Sequence, residues 1–468
     1  MLDANGRRIF RLLIFLRKGD DVMNLWIRDS VIYEFYTLGF CGVLEPGKVY
    51  EKKNRLTKIE KWIPHLKEMS VNTIYFTPIF ESSNHGYDTK DYYKIDERLG
   101  TNEDFKKLCE KLHENNIRII LDGVFNHVGR EFWAFKDVQQ RGRSSKYCDW
   151  FSGLNFGSRS PMGDDFNYQS WNGCYDLVKL NLRNQEVLDH LLNAVGSWID
   201  EFDIDGLRLD AADSIDFEFF KILRKYVDSK KKEFWLMGEV IHGDYTRWAN
   251  TEMLDSTTNY ECYKGIYSSH NDKNYFEIAY SLNRLFGNGG IYKNLYLYNF
   301  VDNHDVNRLA STLKLPEYIY NVYTLLYTMP GVPSIYYGSE YGIKAVKGNG
   351  TDLPLRPELD LGKIDSANEK LFKLIKKLGN IRMESETLKY GSYEQVLVKN
   401  EQLVFSRMYK QDKVYILLNL SDKNSNLEFE LPFNQGIDLL DDNKTIINGG
   451  RISITVPSFS AKIIKKLK

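Results

Sequence analysis

"GLRLDAADS", Gly206 to Ser214, closes an apolar run with an arginine and an aspartate two positions apart. In an extended strand side chains alternate faces with period two, so Arg208 and Asp210 share one face while Leu207 and Leu209 share the other. A fixed cation therefore stands beside a carboxylate where a strand gives way to a turn. Two readings stay open on this stretch alone. One is a structural ion pair; the other is a carboxylate held ionised at a strand exit, ready to act as a nucleophile.

The same grammar repeats on both sides of it. Short β-branched or aromatic runs at 31–40, 73–80, 118–127, 205–213, 234–241, 252–260, 295–305 and 334–340 alternate with helical patterns, the signature of βα units on a parallel sheet. One helix is announced by Thr101 with Asp104 three residues later, a capping arrangement. Eight such units predict an α/β fold closed into a (β/α)8 TIM barrel, taking residues 23–127 and 185–385. Residues 128–184, rich in Gly, Ser, Asn and aromatic residues, break the rhythm after the third strand and read as an inserted subdomain. From 386 to 468 short alternating runs such as "KVYILLNLS" and "RISITVPSF" predict an appended antiparallel β-sandwich. Residues 1–22 read as a poorly ordered extension.

Composition narrows the partners. A chain of 468 residues is long enough for more than one domain. A formal net charge of -1 without a Lys/Arg run excludes a nucleic-acid or anionic-membrane footprint, and no segment approaches the ~20 apolar residues of a membrane span. The five cysteines are scattered without CxxC spacing and read as reduced thiols. The amino terminus offers only the apolar run Leu12 to Leu16 and no small-residue cleavage site, so a cytoplasmic location is expected. An aromatic content of 14%, with 31 tyrosines, suits stacking on the flat apolar faces of sugar rings as well as core packing.

Polar residues recur at the strand exits: Asp122, Asn126 and His127 at the third, Arg208 and Asp210 at the fourth, Glu239 at the fifth, His304 and Asp305 at the seventh. The chemistry of a TIM barrel sits at those ends, and gathered like charges cost stability unless function needs them. In that order, "DGVFNH", "GLRLDAADS", "GEV" and "FVDNHD" resemble the signature regions of the α-amylase family of retaining glycoside hydrolases, and "HGYDTKDYY" and "GVPSIYYGSE" add two more. The resemblance runs from about residue 30 to the carboxyl end. It implies Asp210 as nucleophile, Glu239 as general acid/base and Asp305 as transition-state stabiliser, with Arg208 keeping Asp210 ionised. It further implies His127 and His304 as hydrogen-bond partners of sugar hydroxyls and Tyr87 as the platform beneath the sugar. Asp352 and Arg356, in "DLPLR", would grip the next sugar. Retaining chemistry needs one ionised carboxylate and one protonated acid whose pKa values are driven apart, and the three acids at the fourth, fifth and seventh exits can supply them.

The chain departs from the family pattern in three places. Lys179, in "LVKLN", stands where many members carry an acidic calcium ligand, so no metal is expected there and Lys179 is expected to bond Asn126 instead. Asp164 and Asp165 in the insert stay open as cation ligands. Asp213 and Ser214 replace the Lys-His that long-chain amylases carry, and Ala211 replaces the valine associated with α-1,6 preference. Together these favour hydrolysis of α-1,4 bonds in maltodextrins or soluble starch-like glucans, with no cofactor and an α-glucan oligosaccharide as the partner. A glycosyltransfer or isomerase variant on short α-glucosides is the alternative within enzymes. A non-catalytic binding relative is disfavoured because all three acids are present.

Overall fold

The computed structural model describes residues 26–45, 47–363, 368–441 and 446–467; the extension expected over residues 1–22 lies outside them. Eight strands form one parallel sheet: β1 (Ile32–Phe35), β2 (Thr73–Phe76), β3 (Arg118–Gly123), β4 (Gly206–Leu209), β5 (Trp235–Gly238), β6 (Ser256–Thr257), β7 (Tyr298–Asn299) and β8 (Val332–Tyr336). Their spatial order is β6-β5-β4-β3-β2-β1-β8-β7. A parallel bridge between Thr258 and Tyr298 joins the two remaining edges, and the sheet closes into a barrel. Each strand is shorter than its run in the sequence because the polar exit residues turn out of the ladder. Ala211, for instance, takes a left-handed backbone with φ 45°.

Period two decides what the barrel encloses. Tyr33, Phe35, Ile74, Phe76, Ile119, Leu121, Leu207, Leu209, Leu236 and Ile335 belong to the main core, packed under the helices. Their alternates face inward, where Ile32, Tyr75, Ile120, Trp235, Met237, Tyr298 and Val332 form a separate core sealed by Trp26 and Ile27. Two residues further along the same faces come Glu34 on β1, Asp122 on β3 and Arg208 on β4. The interior is thus apolar at one end and charged toward the carboxyl ends of the strands, the end where TIM-barrel sites lie. Among the helices, Asn102–Glu114 carries the expected capping box, with Thr101 and Asp104 bonding each other's backbone N–H.

Between β3 and helix Gln185–Phe202 the chain builds a three-stranded antiparallel sheet from His127–Gly129, Ser170–Trp171 and Cys174–Lys179, with helix Trp133–Arg141 beside it. Its tight turn is Asn172–Gly173, both at positive φ (46° and 78°). An Asn-Gly pair adopts that mirror-image turn at low cost.

The carboxyl-terminal strands are β9 (Ser392–Val398), β10 (Gln402–Tyr409), β11 (Asp412–Asn419), β12 (Ser425–Asp438), β13 (Ile446–Val456) and β14 (Ser460–Lys466), hydrogen-bonded in the order β9-β10-β11-β14-β12-β13. The expected sandwich is one antiparallel sheet curled over itself. β12 pairs with β14 only through Gly436–Asp438, and its first half lies across β11, where Tyr415 meets Phe429 at 5.8 Å and Phe433 at 6.0 Å. Two buried arginines meet at the barrel helix Tyr318–Thr328, Arg407 from this sheet and Arg382 from helix Glu369–Glu384. Arg382 donates to the carbonyls of Tyr327, Leu388 and Gly331, and Arg407 to those of Thr328 and Gly391. They cap the carboxyl end of helix Tyr318–Thr328, where a cation is favoured. All five cysteines are unpaired.

Candidate active site

The exits of β3, β4 and β5 converge on one guanidinium. Asp122 and Arg208 are register partners on β3 and β4. Arg208 Nη1 donates to Asp122 Oδ1 and Oδ2 at 3.0 and 3.1 Å and to Asp210 Oδ1 at 2.9 Å, and Nη2 meets Glu239 Oε2 at 2.8 Å. The expected pairing of Arg208 with Asp210 is present, and the same guanidinium also meets Asp122 and Glu239. One positive charge, 3% exposed, is divided among three carboxylates. Burial, with repulsion from Glu239 and Asp122, pushes Asp210 well above the usual carboxylate range against the pull of Arg208. Burial, with Asp305, raises Glu239 as well. Such a pair titrates as a unit.

The three acids differ in which oxygen they leave free. Glu239 Oε2 accepts from Arg208 and from the Ala211 N–H at 3.0 Å. Ala211 presents that N–H from its left-handed backbone, a conformation that costs on the order of 1–3 kcal/mol and gathers at functional sites. Among the described residues Oε1 has no partner, so it is the oxygen free to carry a proton. Asp210 Oδ1 is occupied by Arg208, while Oδ2 faces His127 Nε2 at 3.8 Å without a hydrogen bond. Asp305 is tied at both oxygens, Oδ1 to Arg356 Nη2 at 2.9 Å and Oδ2 to His304 Nε2 at 3.1 Å. Burial alone would raise Asp305, but His304 and Arg356 outweigh it and hold the carboxyl far below its ordinary value.

Around the acids the remaining expected residues fall into one network. His304 Nδ1 lies 2.7 Å from Glu34 Oε1 and Nε2 lies 2.6 Å from Tyr87 Oη. Burial opposes its charge, yet Asp305 and Glu34 prevail and push it up to about 10, so it is an imidazolium at neutral pH. Tyr87 stacks on its ring at 5.6 Å and donates to Asp122 Oδ2 at 3.0 Å. Arg356 lies over the Tyr36 ring at 4.3 Å and donates through Nε to the His304 carbonyl. Asp352 lies at the rim, 3.4 Å from Arg356 and 3.1 Å from Lys347. His127 is the opposite of His304: burial holds it down to about 3, so it is neutral.

Residues 55–369 match the family model of the α-amylase catalytic domain, and residues 393–463 that of the maltogenic amylase C-terminal domain. The chain belongs to the α-amylase family. It is 34% identical over 381 residues to a cyclomaltodextrinase of Thermoanaerobacter pseudethanolicus, covering 77% of this chain and 62% of that one. It is also 34% identical over 403 residues to an intracellular maltogenic amylase of Bacillus subtilis strain 168, covering 82% and 67%. The chain therefore spans less than two thirds of the first of these relatives. Among solved structures, the α-amylase of Geobacillus thermoleovorans in complex with acarbose superimposes with a TM-score of 0.80 at 26% identity, covering 94% of this chain and 99% of that one.

In this α-amylase-family barrel, sequence reasoning missed Glu34, Tyr36 and Tyr75. Glu34 accepts from Tyr298 and His304, and Tyr75 donates to Asp122 Oδ2 at 2.7 Å. A charge inside the run "VIYEFY" was the available signal for Glu34. The expected bond between Lys179 and Asn126 does not form. The strand pairing sets Lys179 opposite His127, while Asn126 precedes the strand and turns its Nδ2 to His127 Nδ1 at 3.2 Å, leaving Oδ1 without a partner. Lys179 Nζ has no hydrogen bond or ion pair among the described residues. Nor do the residues here fit the calcium site of many family members. An ammonium stands at the acidic position, and among the described residues no group of three or more His, Cys, Asp or Glu is arranged so that it could hold a metal ion. Asp164 is fully engaged by Arg130, Ser160 and Gln139, and Asp165 pairs with Arg159.

Proposed function

We propose that this chain is a retaining glycoside hydrolase that cleaves α-1,4-glucosidic bonds in maltodextrins, working inside the cell. The observation that carries the reading is the distribution of free oxygens: one on Asp210, one on Glu239, none on Asp305. Asp210 Oδ2 attacks the anomeric carbon while the proton on Glu239 Oε1 passes to the glycosidic oxygen, so the carbon–oxygen bond breaks and a glycosyl-enzyme forms. Glu239, now a carboxylate, takes a proton from water. The resulting oxygen attacks the same carbon and releases Asp210, and the configuration is retained. Asp305, fixed between His304 and Arg356, offers a constant negative charge to the oxocarbenium-like transition state. His127, neutral, presents an imidazole nitrogen to a sugar hydroxyl.

Geometry supports double displacement over direct attack by water. Asp210 and Glu239 sit on the two terminal nitrogens of a single guanidinium, each with its other oxygen unbonded, so a nucleophile and an acid are held side by side, as double displacement requires. The substrate follows from the relatives' names, a cyclomaltodextrinase and a maltogenic amylase, and from the chain's departures at Ala211, Asp213 and Ser214. An intracellular setting accords with the name of the Bacillus relative; among the described residues no helix is long and apolar enough to cross a membrane. Time-resolved proton NMR of maltoheptaose with the purified chain tests both parts. Shorter sugars whose new ends first appear as the α anomer are expected. First appearance as the β anomer would overturn retention, products longer than the substrate would show transfer in place of hydrolysis, and an unchanged spectrum would overturn the activity.

A further inference from the structure

Two polar atoms on adjacent rings lack partners, and one of the rings faces Asp210. His127 Nε2 and Trp171 Nε1 are both buried and make no hydrogen bond among the described residues. The rings lie 5.7 Å apart, tilted by 35°. His127 Nε2 points toward Asp210 Oδ2 at 3.8 Å. Each unpaired group of this kind is disfavoured, and native structures retain such atoms mainly where something else supplies the partner. Trp171 is held firmly. It is the last residue before the Asn172–Gly173 turn, paired in register with Cys174, in the sheet whose first strand begins at His127. Nothing in the motifs at the strand exits points to Trp171, which lies in the insert far along the chain from β4 and β5.

We infer that Trp171 is a substrate-contacting residue: its indole N–H and His127 Nε2 together hold hydroxyl groups of the sugar bound against Asp210. A hydroxyl can donate and accept at once, so a sugar is the chemical class that satisfies an indole N–H beside an imidazole nitrogen. The inference rests on the glycoside hydrolase reading proposed above and adds a contact to that site.

The test uses Trp171→Phe, which keeps an aromatic ring and removes only the N–H, with Trp171→Ala beside it. Thermal unfolding of each variant first establishes that the fold is retained. Kinetics on maltoheptaose and on a panel of monodeoxy maltosides follow. For Trp171→Phe, kcat/KM is expected to fall about 3–10-fold on the parent sugar, the range of one neutral hydrogen bond. On one deoxy position the loss should vanish, because the partner hydroxyl is already missing. Trp171→Ala should lose more on every substrate. Equal activity of Trp171→Phe and wild type on the parent sugar would overturn the inference, and so would a loss of the same size on every deoxy sugar, which is the signature of mere support for the hairpin. A wild type that cleaves none of these substrates would instead overturn the proposed function, so the two failures are told apart.

Discussion

Arg208 and the pair Arg382 and Arg407 are all buried guanidiniums, and they do opposite jobs. Arg208 is wrapped by carboxylates, and Asp122 and Glu239 raise it further above its ordinary value although burial works against them. Arg382 and Arg407 donate to carbonyl oxygens, and burial pushes them down to about 10 and about 9. A cation that meets dipoles holds elements together, here a helix end and the carboxyl-terminal sheet. A cation that meets three acids makes their proton affinities interdependent, which is a condition for acid–base chemistry. The comparison predicts that damage at the first site appears in rate and damage at the second in stability.

Glu239→Gln should give the largest effect. The amide keeps the shape and the contact with Arg208 but has no proton to give, and general acid help contributes ~10²–10⁴-fold. Turnover of maltoheptaose should fall by at least that factor while binding, measured by calorimetry, survives. Near-normal turnover would remove Glu239 from the mechanism. Arg208→Met should damage both properties, because it strands three carboxylates: activity is lost, and unfolding in urea should show a loss of about 3–5 kcal/mol, as when one partner of a buried ion pair is removed. A variant as stable as wild type would show that the acids do not depend on the shared charge. Arg382→Met is the contrasting case. It uncaps carbonyls and should lower stability by about 1–3 kcal/mol, with kcat per folded molecule unchanged at temperatures well below unfolding. A changed kcat would break the division between the two sites.

The sequence disclosed those parts of this arrangement that are local. Period two in "GLRLDAADS" put Arg208 and Asp210 on one face, and the ordered exit motifs brought out eight strands and three acids. It did not disclose that Asp122 competes for Arg208, because that depends on the register of β3 against β4, two strands separated in the chain by the whole insert. Glu34 was hidden for the same reason: its partner His304 lies two strands away in the barrel, on the segment after β7. The error at Lys179 has another source. Position in a motif suggested a replacement for a cation, but strand pairing set the lysine opposite His127, away from the Asn126 oxygen. In the carboxyl-terminal domain the alternation of apolar residues reported strands faithfully, while the curl that turns one sheet into two layers comes from the register shift between Leu431 and Gln435 on β12.

The smallest expected effect contrasts two acids of the same site through pH. Asp210 is raised in the folded protein, by burial first and then by Glu239 and Asp122. Its contribution to stability is fully present below the unfolded value, about 3.9, and is lost as pH rises through the folded one. Asparagine cannot ionise, so Asp210→Asn should gain on wild type as pH increases across that window and then hold its gain. Asp305 runs the other way. Its folded pKa is depressed because His304 and Arg356 outweigh burial, so its stabilisation is present above the unfolded value and is lost only as pH falls through the depressed one. Asp305→Asn should therefore melt below wild type at neutral pH, with the gap closing in strong acid. Since 1 kcal/mol moves a domain of 150–250 residues by about 2–4 °C and longer chains by less, differences on the order of 1–2 °C are expected. Calorimetric melting of both variants between about pH 2 and pH 9 reads the two slopes. Parallel curves, or a gain for Asp305→Asn, would mean that the surroundings of the two carboxylates do not shift them in opposite directions.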